Sequence, residues 1–168
     1  MYTTLEKIIG QISTVTVLQL SDDSDAAIVT DEMLEAAAAG GDLTGYTADG
    51  QAAIAVCLVN INEAIANADA VIDGYSSGRY VVPFNPVPAI IAKCSLDIAI
   101  YNLYARRVET MPEVRDKNYV NTLKLLQSIS KGDVNLGATA TAPASDSARN
   151  ATAVSQPRQF TRDTLRGL

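Results

Sequence analysis

The stretch "DAVIDGYSSGRYVVPFNPVPAIIAKCSLDIAIYNLYARR" (residues 69–107) decides the fold. Its middle is a connector that cannot coil. Pro83, Pro86 and Pro88 each push the preceding residue (Val82, Asn85 and Val87) into extended backbone, so the crossover is stiff rather than floppy. Asn85 is expected to cap the next helix, with Pro86 at its first position and Pro88 inside its first turn. Beyond it Ile91, Cys94, Ile98, Tyr101, Ala105 and Val108 recur at spacings of three and four, the signature of one helical face. Before it the same spacing links Ile54, Leu58, Ile61, Ile65, Ala68, Ile72 and Tyr75, which predicts an amphipathic helix from Gln51 of about six turns, loosened by Gly74. Two long helices around a proline crossover predict an all-α protein, a small helical bundle.

The flanks fit that class. "TTLEKIIGQI" opens with Thr3 and Glu6 at capping-box spacing, followed by Leu5, Ile8, Ile9 and Ile12 as an apolar stripe. "STVTVLQL" (residues 13–20) is rich in β-branched residues but lies between helical segments, so it reads as a short helix or an extended connector. "SDDSDAAIVTDE" (residues 21–32) puts Asp23, Asp25 and Glu32 at positions three, five and twelve of a calcium loop. Ser21 and Ala26 fail the first carboxylate and the turn glycine, however. It reads instead as an acidic loop ending at Thr30, the cap of a helix "DEMLEAAAA" that Gly40 and Gly41 stop. Residues 40–50 form a glycine-rich loop with Tyr46 as a contact point. Pro112 starts the last helix, with Val120, Leu123, Leu126 and Ile129 as its stripe. "KGD" ends it, and "VNLG" (residues 134–137) is an extended exit.

Composition excludes function classes. There is no histidine in the 168 residues, which removes imidazole bases, Ser/His and Cys/His nucleophile pairs and histidine-containing zinc sites. Cys57 and Cys94 lie in helical apolar patterns without a CxxC spacing and read as buried hydrophobes. Asp97 has no partner acid or base; it reads as a structural acid bonded to Tyr101, Arg79 or Arg106. No glycine loop follows a strand to hold a nucleotide. The expectation is therefore no enzyme, no cofactor and no metal. No signal peptide is visible and no continuous apolar run approaches the ~20 residues of a membrane span, so no membrane partner is expected.

The net charge of −6 hides a division. Residues 1–75 carry twelve Asp and Glu against one Lys, and residues 76–168 carry seven against twelve Lys and Arg, so the halves are −11 and +5. Such asymmetry suits either the solvated faces of one domain or head-to-tail assembly of copies. The basic residues are dispersed and lack interleaved aromatics, which disfavours nucleic acid as the main partner.

After a helical domain of residues 1–137, residues 138–168 begin as an Ala/Thr/Ser/Pro run that cannot build a core. The run ends in "RQFTRDTLRGL" (residues 158–168). With Thr161 as an N-cap, Asp163 falls in the first turn and Phe160 and Leu165 at staple positions. Arg158, Arg162 and Arg166 recur every fourth residue and share a face in any helical form, ready for an acidic groove, while Phe160, Leu165 and Leu168 supply apolar anchors. So short a helix cannot repay nucleation alone, so the element is expected to order against another protein. A tether of ~19 residues reaches up to ~60 Å when extended.

The residues quoted above resemble the core signature of the Mu-like tailed-phage neck proteins. The shared features are a helix ending in I-D-G-Y, an aromatic R-Y, a proline crossover and a helix reading C-x-x-D-I-A-x-Y-x-L-Y. The likeness extends through the Tyr2–Glu6 start, the acidic loop, the "GDVNLG" exit and the terminal F-x-R-D-x-L-R-G, so it spans most of the chain. The 40–50 stretch is longer than the pattern needs, and the acidic loop is poorer in carboxylate and glycine. The resemblance implies a virion protein made in the host bacterial cytoplasm: a head-completion or head-tail connector adaptor. Such adaptors form a dodecameric ring under the portal, with neighbouring copies at their sides and a tail, stopper or tail-terminator protein below. Genomic DNA passes through without sequence-specific reading. The expected partner-binding residues are Arg158, Phe160, Arg162, Asp163, Leu165, Arg166 and Leu168, docking into the portal or a neighbouring subunit. The competing reading is a soluble cytoplasmic helical interaction module that uses its C-terminal peptide for recognition.

Overall fold

A computed structural model of the chain describes residues 1–23, 28–107 and 111–137. Among them six helices and no β-strand are present, so the protein is all-α: α1 Leu5–Gln11, α2 Thr14–Ser21, α3 Asp31–Ala38, α4 Ala48–Ser76, α5 Ala89–Ala105 and α6 Glu113–Lys131. The three long helices pack on one another, and α1, α2 and α3 cluster against one end. Their directions follow from side-chain bonds. Ser95 meets Asp69 while Asn102 meets the Ala64 carbonyl, so α5 runs antiparallel to α4. Thr122 meets Asp97 and Tyr119 stacks on Tyr101, so α6 runs antiparallel to α5 and parallel to α4.

The core is aliphatic. Ile54, Cys57, Ile61, Ala64, Ile65, Ala68 and Ile72 of α4 face Ile91, Cys94, Ile98 and Leu103 of α5, closed by Leu126 and Ile129 of α6. The expected stripe on α4 is nearly the observed one, except that Leu58 and Tyr75 sit at its half-buried edge. The helix itself is longer than the sequence predicts. At 29 residues it is about 43 Å long by the standard rise. Thr47 caps it by accepting from the Gly50 N–H, which moves the start into the predicted 40–50 loop. Gly50 is buried there, and a Cβ would meet the Met33 side chain at 3.1 Å. At the other end Gly74 lies inside the helix rather than loosening it. α4 also reaches the length and mean hydropathy, 1.3, of a membrane span. Asn60, Asn62 and Glu63 break the run that the sequence reading counted, and its packing on α5 and α6 is that of a core helix.

Asn85 caps nothing: α5 begins at Ala89 with Pro88 as its extended N-cap, and no side chain caps it. Val87 precedes a proline and is kept out of the helical region, so the coil cannot start until that proline is passed. Both Val82–Pro83 and Asn85–Pro86 are cis. α5 is buried on several sides at once, Ser95, Asp97, Ala99, Ile100 and Tyr104 included, because α1, α2, α4 and α6 pack against it. Tyr101 is consequently half-buried, Ala105 is exposed, and Val108 lies outside the described residues. On α6 the buried line is Thr122, Leu126 and Ile129, with Leu123 at its margin and Val120 exposed. The first helix starts at Leu5 after Thr4, without a capping box. Thr3 is instead drawn inward beside Tyr2, its hydroxyl buried and unpartnered among the described residues.

The ambiguous residues 13–20 settle as a helix capped by Ser13, whose hydroxyl accepts from the Thr16 N–H. Burial of Val17, Leu18 and Leu20 in a helical neighbourhood overrides their β-branched and mixed preference. Thr30 caps α3 as expected, with Asp31 and Glu32 in the first turn, and α3 ends before Gly40.

Gly132 closes α6 in the left-handed region at φ 93°, and a Cβ there would lie 1.8 Å from Arg79 Nη1. Gly132→Ala is expected to cost about 1–2 kcal/mol in backbone strain alone, besides displacing Arg79. Gly74→Ala, in open space inside α4, is expected to stabilise by about 0.5–1 kcal/mol. Thermal melts of the two variants should move in opposite directions.

Candidate docking surface at the root of the tail

The motif residues at the crossover are lashed into one network. Asp69 and Asp73, one turn apart on α4, sit beside its apolar stripe and need donors. The Tyr2 N–H gives one to Asp69 Oδ2 at 3.0 Å and Ser95 Oγ another to Asp69 Oδ1 at 2.7 Å. The Tyr2 hydroxyl donates to Asp73 Oδ1 in a very short bond, and accepts from the Phe84 N–H at 3.1 Å. Tyr2, Phe84 and Tyr80 are buried, with the Phe84 ring tilted against both tyrosines at centroid distances of 5.8 and 5.9 Å. Four parts of the chain, the N-terminus, α4, the crossover and α5, are thereby held at one point.

The exit of residues 132–137 is tied to the same point. Arg79 Nη1 donates to the Lys131 carbonyl at 3.3 Å, and the Leu136 N–H donates to the Tyr80 hydroxyl at 3.1 Å. Val134 and Leu136 pack against the core. Between the crossover and this exit runs a mainly apolar groove of about 420 Å³, walled by Pro83, Phe84, Pro86, Pro88 and Leu136, with Gly137 on its rim. The exit, outside any helix, is thus anchored to the core. Sequence reasoning missed this network. The signal for it was two aspartates at helical spacing along the margin of an apolar stripe, where unpaired carboxylates are costly.

The predicted binding residues, Arg158, Phe160, Arg162, Asp163, Leu165, Arg166 and Leu168, lie outside the described residues, as does the whole of 138–168. The other candidate chemistry is structural. Asp97 is bonded to Lys93 at 2.5 Å and to Thr122 at 3.4 Å, rather than to Tyr101, Arg79 or Arg106. Asp23 is held by Arg106 at 2.6 Å and by Asn60 at 3.0 Å, with Arg107 nearby; the Arg106 bond, above all, keeps its carboxyl below the usual range. Asp25 lies outside the described residues, and no metal-holding group of His, Cys, Asp or Glu occurs among the described ones. Cys57 and Cys94 are buried free thiols, and burial pushes both up, Cys94 to about 11. Tyr46 packs half-buried against the core, its carbonyl accepting from Gln51, so it is less a free contact point than a loop anchor.

Burial, reinforced by the bond to Asp73, pushes the Tyr2 phenol up to about 12. Burial also raises Tyr119. A phenol that ionises at 10.0 when unfolded and near 12 when folded stabilises the fold below pH 10, and that contribution fades as pH rises from 10 to 12. Denaturant melts should therefore weaken over this window, and Tyr2→Phe should flatten the larger part of the slope.

A family model described as "Bacteriophage Mu, Gp36" matches residues 2–155. Over 77 residues the chain is 32% identical to the "Mu-like prophage FluMu protein gp36" of Haemophilus influenzae, an alignment covering 46% of this chain and 52% of that relative. The chain thus spans about half the length of the curated relative it matches.

Proposed function

The chain belongs to the family described as Bacteriophage Mu, Gp36 and is a phage-related protein, and from that premise we propose that it is a structural adaptor of the virion neck. In this reading it is not an enzyme. It sits as a ring beneath the portal, joins the capsid to the tail-side protein below, and lets DNA pass without reading its sequence. The observation that carries the proposal is the lashed root of the tail. A peptide that fastens one ring to another must pass load into a folded core. Here residue 137 leaves from a point where four chain segments are cross-bonded and aromatic rings are packed. The segment beyond holds three arginines at helical spacing and three apolar anchors, a pattern suited to an acidic, partly apolar groove on the portal.

The test is cryo-electron microscopy of the cognate portal mixed with the full chain. A ring of this protein on the tail-facing side of the portal is the expected image. A chain that stays small and leaves the portal bare would instead favour a cytoplasmic interaction module.

A further inference from the structure

Among the described residues, no element packs on one face of α4, which is exposed along most of its length. Ala52, Val56, Val59, Glu63, Ala66 and Ala70 alternate spacings of four and three, and all are exposed, Val56 at 51% and Val59 at 54%. That is the spacing of a helix–helix seam, and its alanines allow close approach. α6 carries a second such line. Glu113, Lys117, Val120, Lys124, Gln127 and Lys131 follow the same alternation and are also exposed.

In this register the two lines complement each other when they run parallel. Aligned parallel, Val59 falls opposite Val120 and Glu63 opposite Lys124. Lys117, already paired with Glu113 at 2.6 Å, faces Val56. Aligned antiparallel, Glu63 meets Val120 and Val59 meets Lys124, which buries each charge against an apolar group. Within the chain α4 and α6 run parallel, and a rotation about an axis along the bundle leaves helix directions unchanged. In a ring with such an axis, α4 of one copy therefore meets α6 of the next in the complementary direction. Neither Glu63 nor Lys124 has a hydrogen bond or ion pair with any described residue, so both are available.

We infer that the exposed face of α4 is the seat of α6 from a second copy of this chain, packed parallel with Val59 on Val120 and Glu63 on Lys124. This rests on the ring reading above. The contact is heterologous, since its two faces lie on different helices, and it pairs an acid of the acidic first half with a lysine of the basic second half.

The test mixes two full-length variants, one carrying Val59→Cys and the other Val120→Cys, on the portal under mild oxidation. The native Cys57 and Cys94 are 0% and 1% exposed and stay silent. A disulfide-linked dimer from the mixture, absent from either variant alone, is expected. Adding Glu63→Lys to the first or Lys124→Glu to the second should lower its yield about tenfold, and adding both should restore it. A disulfide from Val59→Cys alone would mean that α4 meets α4 and would overturn the inference. Rings visible on the portal without any disulfide would overturn it too, while leaving the adaptor reading intact. No disulfide and no ring would remove both.

Discussion

On the adaptor reading proposed above, a chain ending at Gly137 is expected to lose portal binding by about a hundredfold or more, since interface hot spots cost about 2 kcal/mol each when removed. Its melting temperature should hardly move. The last described contact of the exit, Leu136 on Tyr80, is retained in the shortened chain. Phe160, Leu165 and Leu168 would be removed together with Arg158, Arg162 and Arg166. Surface-plasmon titration on immobilised portal checks this, with the triple change of the arginines to glutamate in the full chain as a second variant. Equal binding by the shortened and full chains would end the docking idea, whatever the ring images show.

The second large effect concerns Tyr2. Tyr2→Ala removes a ring that is only 4% exposed and leaves Asp73 and the Phe84 N–H without their hydroxyl partner. Aromatic truncations in cores cost about 3–5 kcal/mol, and this one also orphans buried polar groups. Tyr2→Phe keeps the ring and loses only the hydroxyl, so about 1–3 kcal/mol is expected. Urea unfolding should rank wild type above Tyr2→Phe and Tyr2→Phe above Tyr2→Ala. Tyr2→Ala should also weaken portal binding, because Phe84 and the exit share the same anchorage. If it melts like wild type, the network at the root of the tail holds nothing.

Helix existence was legible because apolar spacing is a local property. The stripe on α4, the cap at Thr30 and the stop at Gly132 each depend on a few neighbouring residues, and each is where the pattern puts it. Boundaries that depended on two competing local rules were harder. Asn85 satisfied a capping rule, yet Val87 before Pro88 obeyed a stronger steric one, and the helix began later. Thr3 and Glu6 offered a capping box, but burying Tyr2 against Asp69 and Asp73 drew the preceding residues into the core. On α5 the single-face reading failed because a helix packed against α1, α2, α4 and α6 buries more than one stripe.

The candidate site divides in the same way. The amino-acid sequence alone determined the all-α class, the extended backbone before each proline of the crossover, the want of imidazole chemistry and the pattern of charged and apolar residues after residue 137. All of these follow from residue type and short-range spacing. Only the tertiary structure decided that Asp69 and Asp73 serve Tyr2 and Ser95, that Asp97 meets Thr122, and that the exit is fastened to Tyr80. These partners are brought together by how α4, α5 and α6 pack, and several lie more than fifty residues apart. A side chain's donor or acceptor character can be read from its letter; which group answers it depends on where the whole chain has already gone.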